Sequence, residues 1–208
     1  DGIRDRDVTG VQTCALPICK IRNSRSLSEL QDVGRDLLKL PSQIAEVLEN
    51  SKSMVELAKS FKDAKTVLFL GRHVGFPIAM EGALKLKELA YIHSEGFAAG
   101  ELKHGPLALI EPGVIVVAIA TDDELREKLL ANIAEVKSRG ATVVAVCSDG
   151  DSAVAAVADY VARVPRTDPL MAPLVDIVVL QQLAYHLARG RGLNVDRPRN
   201  LAKTVTVE

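Results

Sequence analysis

From Thr66 onward the chain repeats one alternation, short runs of Val, Ile, Leu and Ala separated by longer segments with helical spacing. Strands are expected at Thr66 to Leu70, Val114 to Ala120, Thr142 to Cys147 and Tyr160 to Val164, with an extended piece at Ser94 to Ala98. Helices are expected from Pro77 to Tyr91, Glu124 to Arg139, Ser152 to Ala158 and Ala172 to Arg189. Strands that are apolar without alternation are buried on both faces, and strands that alternate with helices pair in parallel. The pattern therefore predicts an α/β domain, doubly wound around a parallel sheet of about five strands with helices on both faces. In such sheets ligands sit outside the carboxyl ends of the strands, and Gly71 and Gly75 fall at the first of those ends.

The domain does not fill the chain. Residues 1–19 show neither periodicity, mix charges with Thr, Gly and Pro, and include DVTGVQTCALPI, which is similar to translated sequencing-adapter residue. They are expected to be a non-native or disordered segment, and Cys14 to Cys19 is too short for the apolar core of a signal peptide. Residues 20–62 read as connecting helices, with Leu30, Val33, Leu37 and Leu38 in a first helix, a break at Pro41, and a second helix from Ser42. A further apolar set, Met54 to Phe61, continues that pattern. Residues 63–190 form the α/β domain, and 191–208 an irregular C-terminal tail.

Charge and composition exclude several partners. A net charge of −1 and 3% aromatic residues leave neither a basic footprint nor stacking rings, so no nucleic acid is expected as a partner. No apolar run approaches the roughly 20 residues that cross a bilayer, so no membrane is expected either. Cys14, Cys19 and Cys147 have no Cys-x-x-Cys spacing, which speaks against a zinc site or disulfide framework and fits a cytoplasmic location.

The stretch Phe76 to Leu109 holds the densest set of chemical groups: Glu81, Lys85, Glu88, Glu101, Lys103 and His104 among small apolar residues. At about 100° per residue, positions 81, 85 and 88 of a helix share one face. Ile78, Ala79, Ala83, Leu86, Leu89 and Ala90 cover the rest, so the charged stripe lies on a helix that is otherwise buried. Such a stripe is either a ladder of ion pairs or a set of groups with a task.

Two longer motifs decide between these readings. GRHVGFPIAMEGALKLKELAYIHSEGFAAGELKHGPLALIEPG and the terminal DRPRNLAKTVTVE resemble the isomerase half of the glutamine–fructose-6-phosphate aminotransferases, which make glucosamine 6-phosphate from fructose 6-phosphate and glutamine. That half consists of two sugar isomerase (SIS) domains behind a glutaminase domain that liberates ammonia. The resemblance covers about Leu37 to Glu208 and implies the second SIS domain, flavodoxin-like in fold. The first SIS domain and the glutaminase domain are then missing partners.

The resemblance also implies roles. Lys203 matches the lysine that forms a Schiff base with the open-chain ketose, with Ala202 beside it contacting substrate. Glu88 matches the carboxylate that moves a proton between C1 and C2, and Lys85 a lysine that neutralises charge on the sugar oxygens. His104 matches the histidine associated with ring opening, supplied across a homodimer interface, and Glu81, expected with Ala202 at the substrate-binding site, is expected to orient Lys85. No metal or other cofactor is implied, and the sugar phosphate is the expected small-molecule partner.

At the turn after Val114 to Ala120, where the family's first SIS domain holds phosphate, this chain has TDDELREK, whose Asp122, Asp123 and Glu124 repel an anion. The chain alone is therefore expected to have little synthase activity. Two other classes compete: a non-catalytic sugar-phosphate-binding module, and a stand-alone isomerase or deglycase. Glu88, His104 and Lys203 together argue against the first, and NLAKTVTVE against the second.

Overall fold

The computed structural model describes residues 26–199, and within them two compact units meet between Leu40 and Pro41. The first described helix, α1, spans Leu27–Glu49. It opens on a reciprocal cap: the Glu29 amide donates to Ser26 Oγ at 3.2 Å, and the Ser26 amide donates to Glu29 Oε2 at 2.7 Å. The expected break at Pro41 does not occur, because the helix continues past it to Glu49. The apolar spacing Leu37, Leu40, Ile44, Val47 keeps its helical phase across the proline, and the helix continues there despite the roughly 3 kcal/mol that an interior proline costs.

In the second unit Gln43 and Val47 tie the later turns of α1 to the domain. Gln43 Nε2 donates to the Arg166 carbonyl at 3.3 Å, and the Val47 carbonyl accepts from Gln182 Nε2 at 3.3 Å. Helix α2, Lys52–Ser60, buries Met54, Leu57 and Ala58.

Five strands follow: β1 Thr66–Gly71, β2 His93–Ala98, β3 Ile115–Ala120, β4 Thr142–Ser148 and β5 Tyr160–Val164. All neighbours pair in parallel, in the order β2-β1-β3-β4-β5. This is the doubly wound, flavodoxin-like arrangement that the alternation predicts, with its switch point between β1 and β3. The helices are α3 Gly75–Lys85, α4 Arg126–Lys137, α5 Ser152–Val157 and α6 Ala172–Gly190. Short 3-10 turns cover Ala99–His104 and Pro106–Leu109.

Strand residues two apart share a face. Leu68, Leu70, Val116, Ala118, Val143, Ala145 and Cys147 join Leu129, Ile133 and Val136 of α4 and Val154 of α5 in one core. The alternate residues, among them Val67, Phe69, Val117 and Ile119, are equally buried and lie toward α3 and α6. Two glycines set how closely α3 lies on this face. A Cβ at Gly82 would stand 2.6 Å from Leu180 Cδ1 and 2.8 Å from Phe69 Cε1, and one at Gly96 would stand 2.8 Å from Met80 Cα.

Candidate active site

Helix α3 begins at the carboxyl end of β1 and runs back, so its last turns lie near the amino ends of β1 and β2. The α-helical register stops at Lys85, and Leu86–Ala90 forms a single π-helical turn. The expected continuous α-helix to Tyr91 is thus corrected. A π turn adds a residue to one turn and is a feature often found at functional sites. Tyr91 then ends the helix with a left-handed backbone, φ 54°.

The structure brings Glu81, Lys85 and Glu88 together despite the change of register. Lys85 Nζ lies 2.8 Å from Glu88 Oε2 and 3.3 Å from Glu81 Oε1, and all three side chains are partly covered. The Glu88 hydrogen bond, aided by the Glu81 charge, raises the Lys85 ammonium above its ordinary value against the opposing effect of burial. Lys85 is therefore a fixed cation at neutral pH and a poor nucleophile.

His104 lies elsewhere. It closes the 3-10 turn that follows β2, at the carboxyl end of the sheet, with its side chain 72% exposed and Glu101 Oε2 at 3.9 Å. A strand of this length separates it from the end that holds Glu88, so one chain does not unite the two. Lys203 and Ala202 lie outside the described residues.

The tail up to Arg199 is described, and it turns back toward the π turn. Gly192, φ 72°, lets the chain leave α6 with the Leu193 amide donating to the Ala188 carbonyl at 3.0 Å. Asn194 Oδ1 then accepts from the amides of Asp196 and Arg197 at 3.0 and 3.1 Å. Arg191 Nη1 donates to the Ala90 carbonyl at 3.2 Å, and the Arg199 amide donates to the Tyr91 hydroxyl at 2.6 Å. Neither the residue type of Tyr91 nor its spacing marks it in the sequence; its contacts are long-range and only the folded tail reveals them.

The carboxyl-end crevice at the β1–β3 switch is organised differently. Arg72 donates to Asn132 Oδ1 through Nε at 3.1 Å and Nη2 at 2.9 Å. Asp123 accepts from Thr121 Oγ1 at 2.8 Å and from the Leu125 amide at 2.9 Å, and His73 Nδ1 lies 3.5 Å from its Oδ2. Nearby, Arg126 grips Asp151 through Nε and Nη2, while Asp151 caps α5 by accepting from the Val154 amide at 3.0 Å. Among the described residues no cluster of His, Cys, Asp and Glu could hold a metal ion, and no helix is long and apolar enough to cross a membrane.

Comparison with known proteins places this geometry. The glutamine–fructose-6-phosphate aminotransferase (isomerizing) of Leifsonia xyli is 52% identical over 197 residues, covering 93% of this chain and 32% of the relative. That of Methanosarcina acetivorans is 50% identical over 194 residues, again covering 93% of this chain and 31% of the relative. The chain thus spans about a third of the length of the curated relatives it matches. Among solved structures, the C-terminal domain of glucosamine-fructose-6-phosphate aminotransferase from Francisella tularensis superimposes with a TM-score of 0.82 at 35% identity, covering 88% of this chain and 51% of that one. The sugar isomerase domain of an RpiR transcription factor from Sphaerobacter thermophilus shares the fold, with a TM-score of 0.61 at 19% identity, covering 76% of this chain and 92% of that one. The SIS domain family matches residues 60–189, from the end of α2 to the end of α6, and the chain belongs to that family.

Proposed function

We propose that this chain is the second SIS domain and tail of a glutamine–fructose-6-phosphate aminotransferase, acting on a ketose phosphate in amino-sugar biosynthesis in the cytoplasm. Residues 63–190 are the domain and 191–208 the tail that completes its site. The observation that carries the reading is Glu88: a partly covered carboxylate in the π turn, hydrogen-bonded to Lys85, on the segment where the tail is fastened.

In this reading Lys203 condenses with the C2 ketone of open-chain fructose 6-phosphate and water leaves. Ammonia displaces the lysine from the imine. Glu88 takes a proton from C1 as the imine nitrogen gains one, and returns it to C2 as the C1 hydroxyl gives up its proton to become the aldehyde, leaving the 2-amino aldose. A base for this step must lie within hydrogen-bond reach of the carbon acid. Lys85, kept protonated by Glu88 and Glu81, neutralises negative charge that develops on the sugar oxygens. His104, remote from Glu88 within one chain, serves the site of a second copy in a homodimer. Phosphate and ammonia are handled by the domains that the longer relatives carry.

The test uses the chain joined to the missing N-terminal domains. Lys203→Arg abolishes borohydride trapping of fructose 6-phosphate, because a guanidinium with pKa above about 12 offers no neutral nitrogen to a ketone. Sugar still attached to the Lys203→Arg protein after reduction, read by mass spectrometry, would refute the assignment.

A further inference from the structure

Tyr91 meets the tail twice. Its hydroxyl accepts the Arg199 amide at 2.6 Å, and the Arg199 guanidinium carbon lies 4.1 Å from its ring centroid. The first contact fixes the backbone of the tail at one residue, and the second holds the side chain of that residue over a π face. No other natural side chain of this size offers both an acceptor at its tip and an aromatic face: Phe lacks the acceptor, and Leu lacks both. The left-handed backbone of Tyr91 is uncommon for a bulky residue and persists where surrounding structure holds it. Arg191, bonded to the Ala90 carbonyl, supports the same segment from the start of the tail.

We propose that Tyr91 is a positioning residue, a latch that fastens the C-terminal tail three residues beyond Glu88 and so sets where the last residues begin. The inference rests on the reading of Lys203 as the imine-forming amine. From Arg199, four residues at about 3.5 Å each leave the Lys203 Cα within about 14 Å, so the latch point bounds where that amine can go. An unlatched tail has no such bound near Glu88, and the effective concentration of its amine there falls with the freedom of the segment.

Limited trypsin digestion of the 208-residue chain, followed by mass spectrometry, reads the latch directly. Trypsin cuts after Arg199 but not after Arg197, which precedes Pro198. Tyr91→Leu is expected to speed the Arg199–Asn200 cut by about tenfold, the combined worth of a hydrogen bond and an exposed cation–π contact. Tyr91→Phe, which keeps the ring, and Arg199→Lys, which keeps the amide and the cleavage site, are expected to fall between. Amide exchange in β1 and β3, unchanged in all three, shows that the domain is intact.

The second readout is borohydride trapping of fructose 6-phosphate by the chain joined to its missing domains. Tyr91→Leu should lower trapping at Lys203 by about tenfold, and Tyr91→Phe should largely restore it. Equal cleavage rates in wild type, Tyr91→Leu and Arg199→Lys overturn the latch. So does trapping at Lys203 that Tyr91→Leu leaves unaltered. If cleavage responds as expected but no sugar is trapped at Lys203 in wild type, the latch stands and the Schiff-base reading falls.

Discussion

At the carboxyl end of the sheet the charged side chains bridge different elements, whereas at the amino end they are gathered on one helix and share a single cation. Arg72 ties the end of β1 to Asn132 of α4, and Arg126 of α4 holds Asp151 at the cap of α5. These bonds span secondary-structure elements and hold the sheet's covering helices in place. At the other end one ammonium, Lys85, serves two carboxylates within two turns, and the tail arrives beside them. The crevice where a doubly wound fold ordinarily takes its ligand is thus occupied by structural bonds, and the chemistry we propose lies at the opposite end.

Substitutions at the two ends should separate catalysis from stability. The largest effect is expected for Glu88→Gln in the chain joined to its missing domains: isomerisation falls by about 10²- to 10⁴-fold, while imine trapping and thermal stability hold. Asp123→Asn in the same background should leave isomerisation within about twofold, inside the small effects typical of sites away from the chemistry. The reverse outcome in steady-state kinetics would break the comparison.

Asp176 tests the amino-terminal half of α6. It is buried with no ion-pair partner among the described residues, and desolvation pushes its carboxyl up to about 7. A folded-state value above the unfolded one means that its stability contribution is full below about pH 4 and is lost as pH rises through about 7. Asp176→Asn should therefore flatten the pH dependence of Tm between those limits. The gain at pH 8 is up to about 4 kcal/mol by linkage, three units at about 1.4 kcal/mol each. An unaltered pH profile would show that the carboxyl is solvated.

Asp151 should behave in the opposite sense. Burial pushes its carboxyl up, but the Arg126 hydrogen bond and the Val154 amide together hold it below the ordinary value. Its contribution is present above about pH 4 and is lost as pH falls through the depressed value. Asp151→Ala should cost about 2–4 kcal/mol at pH 7 in urea titrations, since it leaves Arg126 unpaired and α5 uncapped, and the loss should shrink in acid. Glu81→Gln should have the smallest effect, no more than about fivefold on turnover, the worth of an exposed ion pair. A larger loss would place Glu81 in contact with substrate.

Much of this was legible in the sequence because it depends on local pattern. The Val/Ile/Ala runs located the strands to within a residue or two, and β5 is bounded by the expected Tyr160 and Val164. Positions 81, 85 and 88 come together because the π turn adds its extra residue without turning Glu88 away from Lys85. Pro41 misled because local propensity favours a break there, whereas the helix continues through it with its apolar phase kept. The π turn has no residue signature, and the Tyr91–Arg199 contact joins positions 108 residues apart, beyond the reach of any periodicity.

The glycines beneath α3 carry one more consequence, a mechanical one. With Gly82 wedged against Phe69 and Leu180, and the backbone at Met80 resting on Gly96, the helix has no room to slide or roll on the sheet without driving atoms into one another. Glu88 and Lys85 are therefore mounted on a stiff bed. The described part of the tail, residues 191–199, is by contrast largely exposed, so the firm packing stops at the end of α6. Methyl groups added at these seams would jam the bed before they touched the chemistry.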